Sequence, residues 1–484
     1  MRDSSSTHIP SWISTDNRFF TEEGMLLENK DNAWLLYSKS DREELNELCD
    51  GYMDFLDKGK TERECFILAE AMAKKAGYRD LDEIIRKDSR IHPGDKVYAT
   101  CMGKTIALFN IGNEPLENGL QILGAHIDSP RLDVKQKPVI EDGGMVYLNT
   151  HYYGGIKKYQ WVTTPLAIHG VISKTDGSQV NINIGEKDDD PVFCITDLLP
   201  HLASEQQEKK LSKAIEGENL DVLFGSMPVK TKDKQAVKSA VLKLLKSKYD
   251  IEEDDFMSAE LEVVPAGKAR SLGIDESMVL AYGQDDRVCA YTSLAAFFSV
   301  PEVDRTAVCL LVDKEEIGSV GATGMRSKFF ENALAEIMNA AGVYSELSLR
   351  RCLAHSKMLS SDVSAAFDPL YASVFDKMNS AYFGKGVVFN KYTGSRGKSG
   401  SNDCNAEFFA EIRGILESHN VSYQTCELGK VDAGGGGTIA YIMSLYGMEV
   451  VDCGVAVLSM HAPWEVTSKS DIYEACKAYR AFIS

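Results

Sequence analysis

Two glutamates stand side by side at Glu315-Glu316, where the apolar run from Ala307 to Val312 gives way to Asp313-Lys314 and then to "EEIGSVGATG". Adjacent ionised carboxylates repel unless positive charge sits beside them, and a divalent cation supplies it compactly. One carboxylate can then ligate while the other takes a proton from a nearby water. Other positions carry related chemistry. His126-x-Asp128 ends the strand-like run "LQILGA", a spacing that suits a ligating imidazole whose second ring nitrogen is held by a carboxylate. Asp285-Asp286 sits at a strand-to-helix junction, Asp362 follows "MLSS", and His461 closes the run "VAVLS" just before a small residue and a proline.

Each of these alone also fits an ordinary capped turn or the acidic first turn of a helix. Together they put two histidines and several carboxylates at the ends of expected strands, where open α/β sheets bind ligands. A nitrogen and oxygen donor set without thiolates suits zinc, cobalt or manganese rather than an all-cysteine structural zinc. A carboxylate shared by two ions about 3.5–4 Å apart would make a two-metal hydrolytic site.

The elements that must hold these residues follow from pattern. Leu45, Leu48, Met53 and Leu56 mark a helix over 41–56, and Thr61 with Glu64 forms a capping box for the next. Two β-rich runs flank Gly103-Lys104. After Ala266, strands and helices alternate to the end, which implies an α/β sheet with helices on its faces. The stretch between differs: short β-like runs ("MVYLNTHYYGG", "PLAIHGVIS", "VNINIG") and a Lys/Glu-rich helical stretch around 206–255. The expected fold is therefore α/β: a split catalytic domain with a central mixed β-sheet flanked by helices, in segments 1–137 and 269–484, and an inserted β-rich dimerisation domain over 138–268. "HYYGGIKKYQW" in the insertion reads as an interface or as a domain core. Four glycines at 434–437 imply close backbone approach, to a ligand or another subunit. They do not form a phosphate loop, which would need a lysine or a G-x-G-x-x-G after a first strand.

Bulk properties bound the function. A chain of 484 residues calls for two to four domains. Its net charge of −19 repels phosphate backbones and argues against nucleic-acid partners. No apolar run is long enough to span a membrane, and the first residues lack a signal-peptide pattern. The eleven cysteines form no CxxC pair, and several sit in apolar runs, as small buried hydrophobes do in a reducing compartment. A cytoplasmic location is expected.

The order of site residues, and the words "GAHIDSPRLDVK", "DKEEIGSVGATG", "SSDVSAAFDPLY", "GGGGTIA" and "SMHAPWEV", resemble the aspartyl aminopeptidase family (metallopeptidase family 18) in its bacterial-type branch, over essentially the whole chain. The resemblance implies two divalent metal ions per subunit, with zinc first and cobalt or manganese as alternatives. It implies that His126 and Asp362 hold one ion, Glu316 and His461 the other, and that Asp285 bridges them. Glu315 would be the general base, and Asp128 would orient His126. An unusual, cis peptide between Asp285 and Asp286 is also implied. His201, in "DLLPHLAS", would reach the site of a neighbouring subunit and steady the oxyanion; by itself it reads equally as a surface histidine. His8, His92, His355 and His419 carry no assigned role. Substrates would be peptides with a free N-terminus, and the assembly a tetrahedral dodecamer. Acidic preference is the family trait, and Lys391, Arg396 and Lys398 are the candidate cations for a side-chain pocket. That stretch departs from the eukaryotic members, which leaves the specificity open. A related metal-dependent amidase or carboxypeptidase, or an inactive self-assembling shell, are the competing readings.

Overall fold

The computed structural model describes residues 32–484, so His8 and the N-terminal segment lie outside the described residues. A nine-stranded mixed sheet organises the chain. Four neighbouring strands run parallel at its centre: Ala307–Val312, Gln121–His126, Lys357–Ser361 and Glu449–Gly454. Ala307–Val312 reads as an unbroken apolar run because both of its faces are covered. Alternation along each strand shows the two layers. Leu123, Cys309, Leu311, Leu359 and Val451 face one core, packed against helices Lys39–Lys58, Glu62–Lys75, Gln284–Ser299 and Lys469–Ile483. Ile122, Val308, Leu310, Met358 and Val450 face the other, under helices Phe329–Ala340 and Glu346–Ala354.

The first two long helices start where their capping residues dictate. Ser38 accepts from the Asp41 amide and Thr61 from the Glu64 amide, each in a reciprocal capping box. The helix Gln284–Ser299 is buried along nearly all of its length, which explains its apolar and small-residue composition on every side.

A six-stranded antiparallel sheet spans Arg131 to Pro265 and has its own apolar core around Trp161, Ile168, Val222 and Val263. The stretch expected to be helical over 206–255 is more broken than its composition implies. One long helix, Ala236–Tyr249, forms beside the single turn Leu211–Ala214, but Val222–Gly225 is a strand pairing with Met145–Tyr153. The short run "DVLFG" is apolar within a polar surround, and edge pairing overrides the helical composition beside it. A third sheet of five short strands includes Met278–Ala281, Ala456–Leu458 and Glu465–Ser468.

All eleven cysteines are unpaired, and nine of them are buried. Among the described residues, no helix is long and apolar enough to cross a membrane.

Asp471, fully buried on the last helix, accepts from the amides of Gly384 (3.0 Å) and Gly386 (2.9 Å), fixing the turn into strand Val387–Asn390. Burial pushes its carboxyl up to about 7. A folded-state pKa above the unfolded value favours folding below about pH 4, and this contribution fades as pH rises through 7. Asp471→Asn removes the titration. Relative to wild type, the variant should therefore gain on the order of 1–3 kcal/mol between pH 5 and pH 8 in urea unfolding. A gap between the two proteins that does not change with pH contradicts this.

Candidate metal centre

Three of the parallel strands deliver chemistry at their carboxyl ends. His126 is the last residue of its strand, Glu315 and Glu316 follow Ala307–Val312, and Asp362 follows Lys357–Ser361. The third sheet supplies the rest: Asp285 comes after Met278–Ala281, and His461 lies between the antiparallel strands Ala456–Leu458 and Glu465–Ser468. Two sheets are thus required to bring the cluster together.

The two oxygens of Asp285 face different imidazoles. Oδ1 is 3.4 Å from His126 Nε2, and Oδ2 is 3.2 Å from His461 Nε2. Around this pair, His126 Nε2 lies 3.9 Å from Asp362 and 4.0 Å from Glu315, while His461 Nε2 lies 3.5 Å from Glu316. Both rings are oriented from behind. His126 Nδ1 donates to the Asp128 carbonyl at 3.1 Å, and His461 Nδ1 donates to the Gly155 carbonyl at 3.0 Å. A carbonyl can only accept, so Nδ1 of each ring carries a proton and Nε2 points into the cluster.

The neighbouring glutamates are separated by one carboxylate. Asp128, with no exposed surface, accepts the Glu315 amide on Oδ1 (3.1 Å) and the Glu316 amide on Oδ2 (3.2 Å). Lys314, in the left-handed region at φ 70°, turns the chain out of the strand just before them. Asp128 Oδ1 is also 3.3 Å from His126 Nδ1.

Glu465 ties the two halves of the third-sheet contribution. Its Oε1 accepts the His461 amide at 2.7 Å, and its Oε2 accepts the Asp285 amide at 3.1 Å. The Asp285-Asp286 peptide is cis, and Asp286 Oδ2 accepts the His126 amide at 3.3 Å.

The residues fit a divalent cation. Ligand atoms of His126, Asp285 and Glu316 lie within 4.8 Å of one another, and so do those of His126, Asp286 and Asp362. Glu316 Oε1 and Asp286 Oδ1 are buried and make no hydrogen bond, an expensive condition unless a cation or water meets them. Burial raises the carboxyls of Glu315, to about 7, and of Glu316 and Asp362, well above the ordinary range; neighbouring carboxylates add to the shift in all three. Asp285 goes the other way despite its burial, because both imidazoles hydrogen-bond its charged form. His461, although buried, is held up to about 10 by Asp285 and Glu316. The set is nitrogen and oxygen without thiolate, as hard to borderline divalent ions prefer.

A cavity of about 750 Å³ opens onto the cluster. Arg396 and Lys398 line it, as do Arg326 and Lys430; Lys391 does not. Lys398 sits over the Tyr392 ring at 3.5 Å and 3.3 Å from Asp403. The glycine run approaches the chain's own backbone. A Cβ on Gly434 would lie 1.9 Å from the Leu428 carbonyl, and one on Gly435 would lie 2.4 Å from that of Gly394. The run thus closes the cavity wall. His201 is exposed on the second-sheet side and does not line this cavity. Sequence reasoning gave no role at the centre to Glu465, Tyr153 or Gly155, nor a ligand role to Asp286. Only Asp286 had a signal, its position beside Asp285.

Known proteins resemble the chain over nearly its whole length. The family model described as Aminopeptidase I zinc metalloprotease (M18) matches residues 55–483. A probable M18 family aminopeptidase 1 of Clostridium acetobutylicum is 59% identical over 460 residues, 95% of this chain and 99% of the relative. The crystal structure of aminopeptidase I from Clostridium acetobutylicum superposes with a TM-score of 0.88 at 57% identity, covering 94% of this chain and 98% of that one. That of an M18 aminopeptidase from Thermotoga maritima gives 0.89 at 44%, covering 94% and 98%. The chain belongs to the M18 family and is a zinc-family metalloaminopeptidase.

Replacing Glu465 by alanine orphans two buried amides. The variant should lose about 1–3 kcal/mol in denaturant unfolding. Its zinc affinity should fall roughly 10–100-fold in competition with a chelator. Unchanged zinc affinity would show that Glu465 does not support the site.

Proposed function

We propose that this enzyme removes the N-terminal residue of peptides at a dinuclear centre bridged by Asp285. The observation that carries the reading is the Asp285 carboxylate, whose two oxygens each face a different imidazole. On this reading His126 and Asp362 would hold one ion, Glu316 and His461 the other. Asp286, at its distance from His126 and Asp362, is a further oxygen donor to the first position. When bound, such ions polarise the scissile carbonyl and lower the pKa of an attacking water towards about 7.

The chain's own residues do the proton work. Glu315 lies at the cluster's edge, 4.0 Å from His126 Nε2, with its backbone fixed by Asp128. It takes the proton of the attacking water and returns it to the leaving amine. The carboxylates around Asp285 favour a substrate's charged α-amino group, which restricts cleavage to the first residue. Asp128 and Gly155 keep both imidazoles in their donor orientation.

A side-chain pocket on the cavity wall that carries Arg396 and Lys398 would favour an acidic first residue, Asp or Glu. Self-assembly into a closed tetrahedral dodecamer is supported by apolar side chains exposed in the second-sheet region, among them Leu198, Leu199, Leu202, Leu211 and Met227. In that assembly His201 of a neighbouring copy would stand near the oxyanion. The unit 138–268 would then be the oligomerisation domain, inserted between catalytic segments 1–137 and 269–484.

A panel of free and N-acetylated aminoacyl substrates tests the reading, on metal-stripped protein restored with zinc, cobalt or manganese. Metal-dependent release of the free N-terminal residue alone is expected, and Glu315→Gln should lower kcat by roughly 10²–10⁴-fold with metal content unchanged. Cleavage of the acetylated substrates instead would move the assignment to an amidase. No turnover despite bound metal would point to an inactive shell.

A further inference from the structure

One short segment of the second sheet reaches the centre at three points. Strand Met145–Tyr153 ends at Tyr153, followed by Gly154 and Gly155. The Tyr153 hydroxyl donates to Asp128 Oδ2 at 2.8 Å. A Cβ on Gly154 would lie 3.3 Å from Glu316 Oε2, so the backbone passes directly over that carboxylate. The Gly155 carbonyl holds His461 Nδ1 at 3.0 Å. Tyr153 is itself clamped. The Arg131 guanidinium lies 3.8 Å from its ring centroid, and Arg131 is flanked by Asp133 (2.9 Å), Glu262 (3.1 Å) and Glu62 (3.4 Å). Glu62 is on helix Glu62–Lys75, so this ion cluster, buried except at Asp133, anchors the second-sheet strands to the central sheet.

We propose that Tyr153 is a positioning residue for the metal centre, acting through Asp128, and that the segment 153–155 couples the placement of the second sheet to the geometry of both ion positions. The inference rests on the dinuclear reading above. Asp128 must send one oxygen to the Glu315 amide and the other to the Glu316 amide, which is what lets two adjacent glutamates take different roles. A carboxylate free to turn about its Cβ–Cγ bond would not hold that division. The phenol donor on Oδ2 and the imidazole beside Oδ1 lock it from two sides. Tyrosine is well matched to this position, because its ring buries apolar surface and offers a face to Arg131 while its hydroxyl reaches the carboxylate. The same segment orients His461 through a backbone carbonyl, so both imidazoles depend on it.

Tyr153→Phe removes one hydroxyl and keeps the ring; Tyr152→Phe, at an exposed neighbour outside the centre, is the control. Zinc affinity is read by chelator competition on the full-length protein, and the thermal midpoint on the metal-free form. Relative to the control, Tyr153→Phe should bind zinc roughly 10–100-fold more weakly. At saturating zinc its kcat should fall while KM stays within about twofold, and its metal-free midpoint should stay within about 2 °C of the control. Zinc affinity within about threefold of the control overturns the proposal. So does a loss of affinity matched by a fall in the metal-free midpoint, because that marks a general packing defect. Affinity is read without substrate, so a protein that binds zinc but releases no N-terminal residue would refute the aminopeptidase mechanism while still deciding the role of Tyr153.

Discussion

Repulsion among buried carboxylates is the constraint on which the rest of this molecule depends. Asp285, Asp286, Glu315, Glu316 and Asp362 converge on two imidazoles at the floor of the cavity. Without a cation, burial first and mutual repulsion second push Glu316 and Asp362 towards the neutral form. Divalent cations relieve the repulsion, and the protein must hold the carboxylates ready against their own tendency to separate. The fold answers with rigid strand ends. Parallel strands, buried on both faces, fix His126, Glu315, Glu316 and Asp362, and a second set of short strands brings Asp285 and His461 to the same place.

Much of the centre was legible in the sequence for the same physical reason. A charged pair after an apolar run, or a histidine closing one, is costly unless it works, so the strand ends at His126, Glu315 and His461 stand out by contrast. The mixed α/β fold follows from apolar runs alternating with helical patterns, and the capping box at Thr61 marks its helix start. Other parts leave weaker traces. Glu465 is an acidic residue inside a strand-like run, and nothing local says that its two oxygens will hold the amides of Asp285, 180 residues away, and His461. Gly155 acts through a backbone carbonyl, which has no sequence signature at all. The glycine run announces a close approach but not its partner, which proves to be the chain's own backbone at Leu428 and Gly394. The strand Val222–Gly225 was hidden because edge pairing, not local composition, decides it.

The second sheet changes character in this light. Its composition suggests a surface for self-association, and its own core would let it stand apart from the chemistry. Yet Tyr153, Gly154 and Gly155 bring it against Asp128, Glu316 and His461, and the buried charges around Arg131 bind it to helix Glu62–Lys75. A cluster of paired charges is directional in a way that apolar packing is not: it favours one docking angle over its neighbours. Assembly and catalysis would then share a mechanical link through one strand end.

The central claim is that Asp285 stands between two ions. Anomalous diffraction at the zinc edge, on crystals of the zinc-loaded protein, tests it most directly. The account predicts two peaks, one beside each Asp285 oxygen, about 3.5–4 Å apart. A single peak, or a pair of peaks away from Asp285, would contradict it.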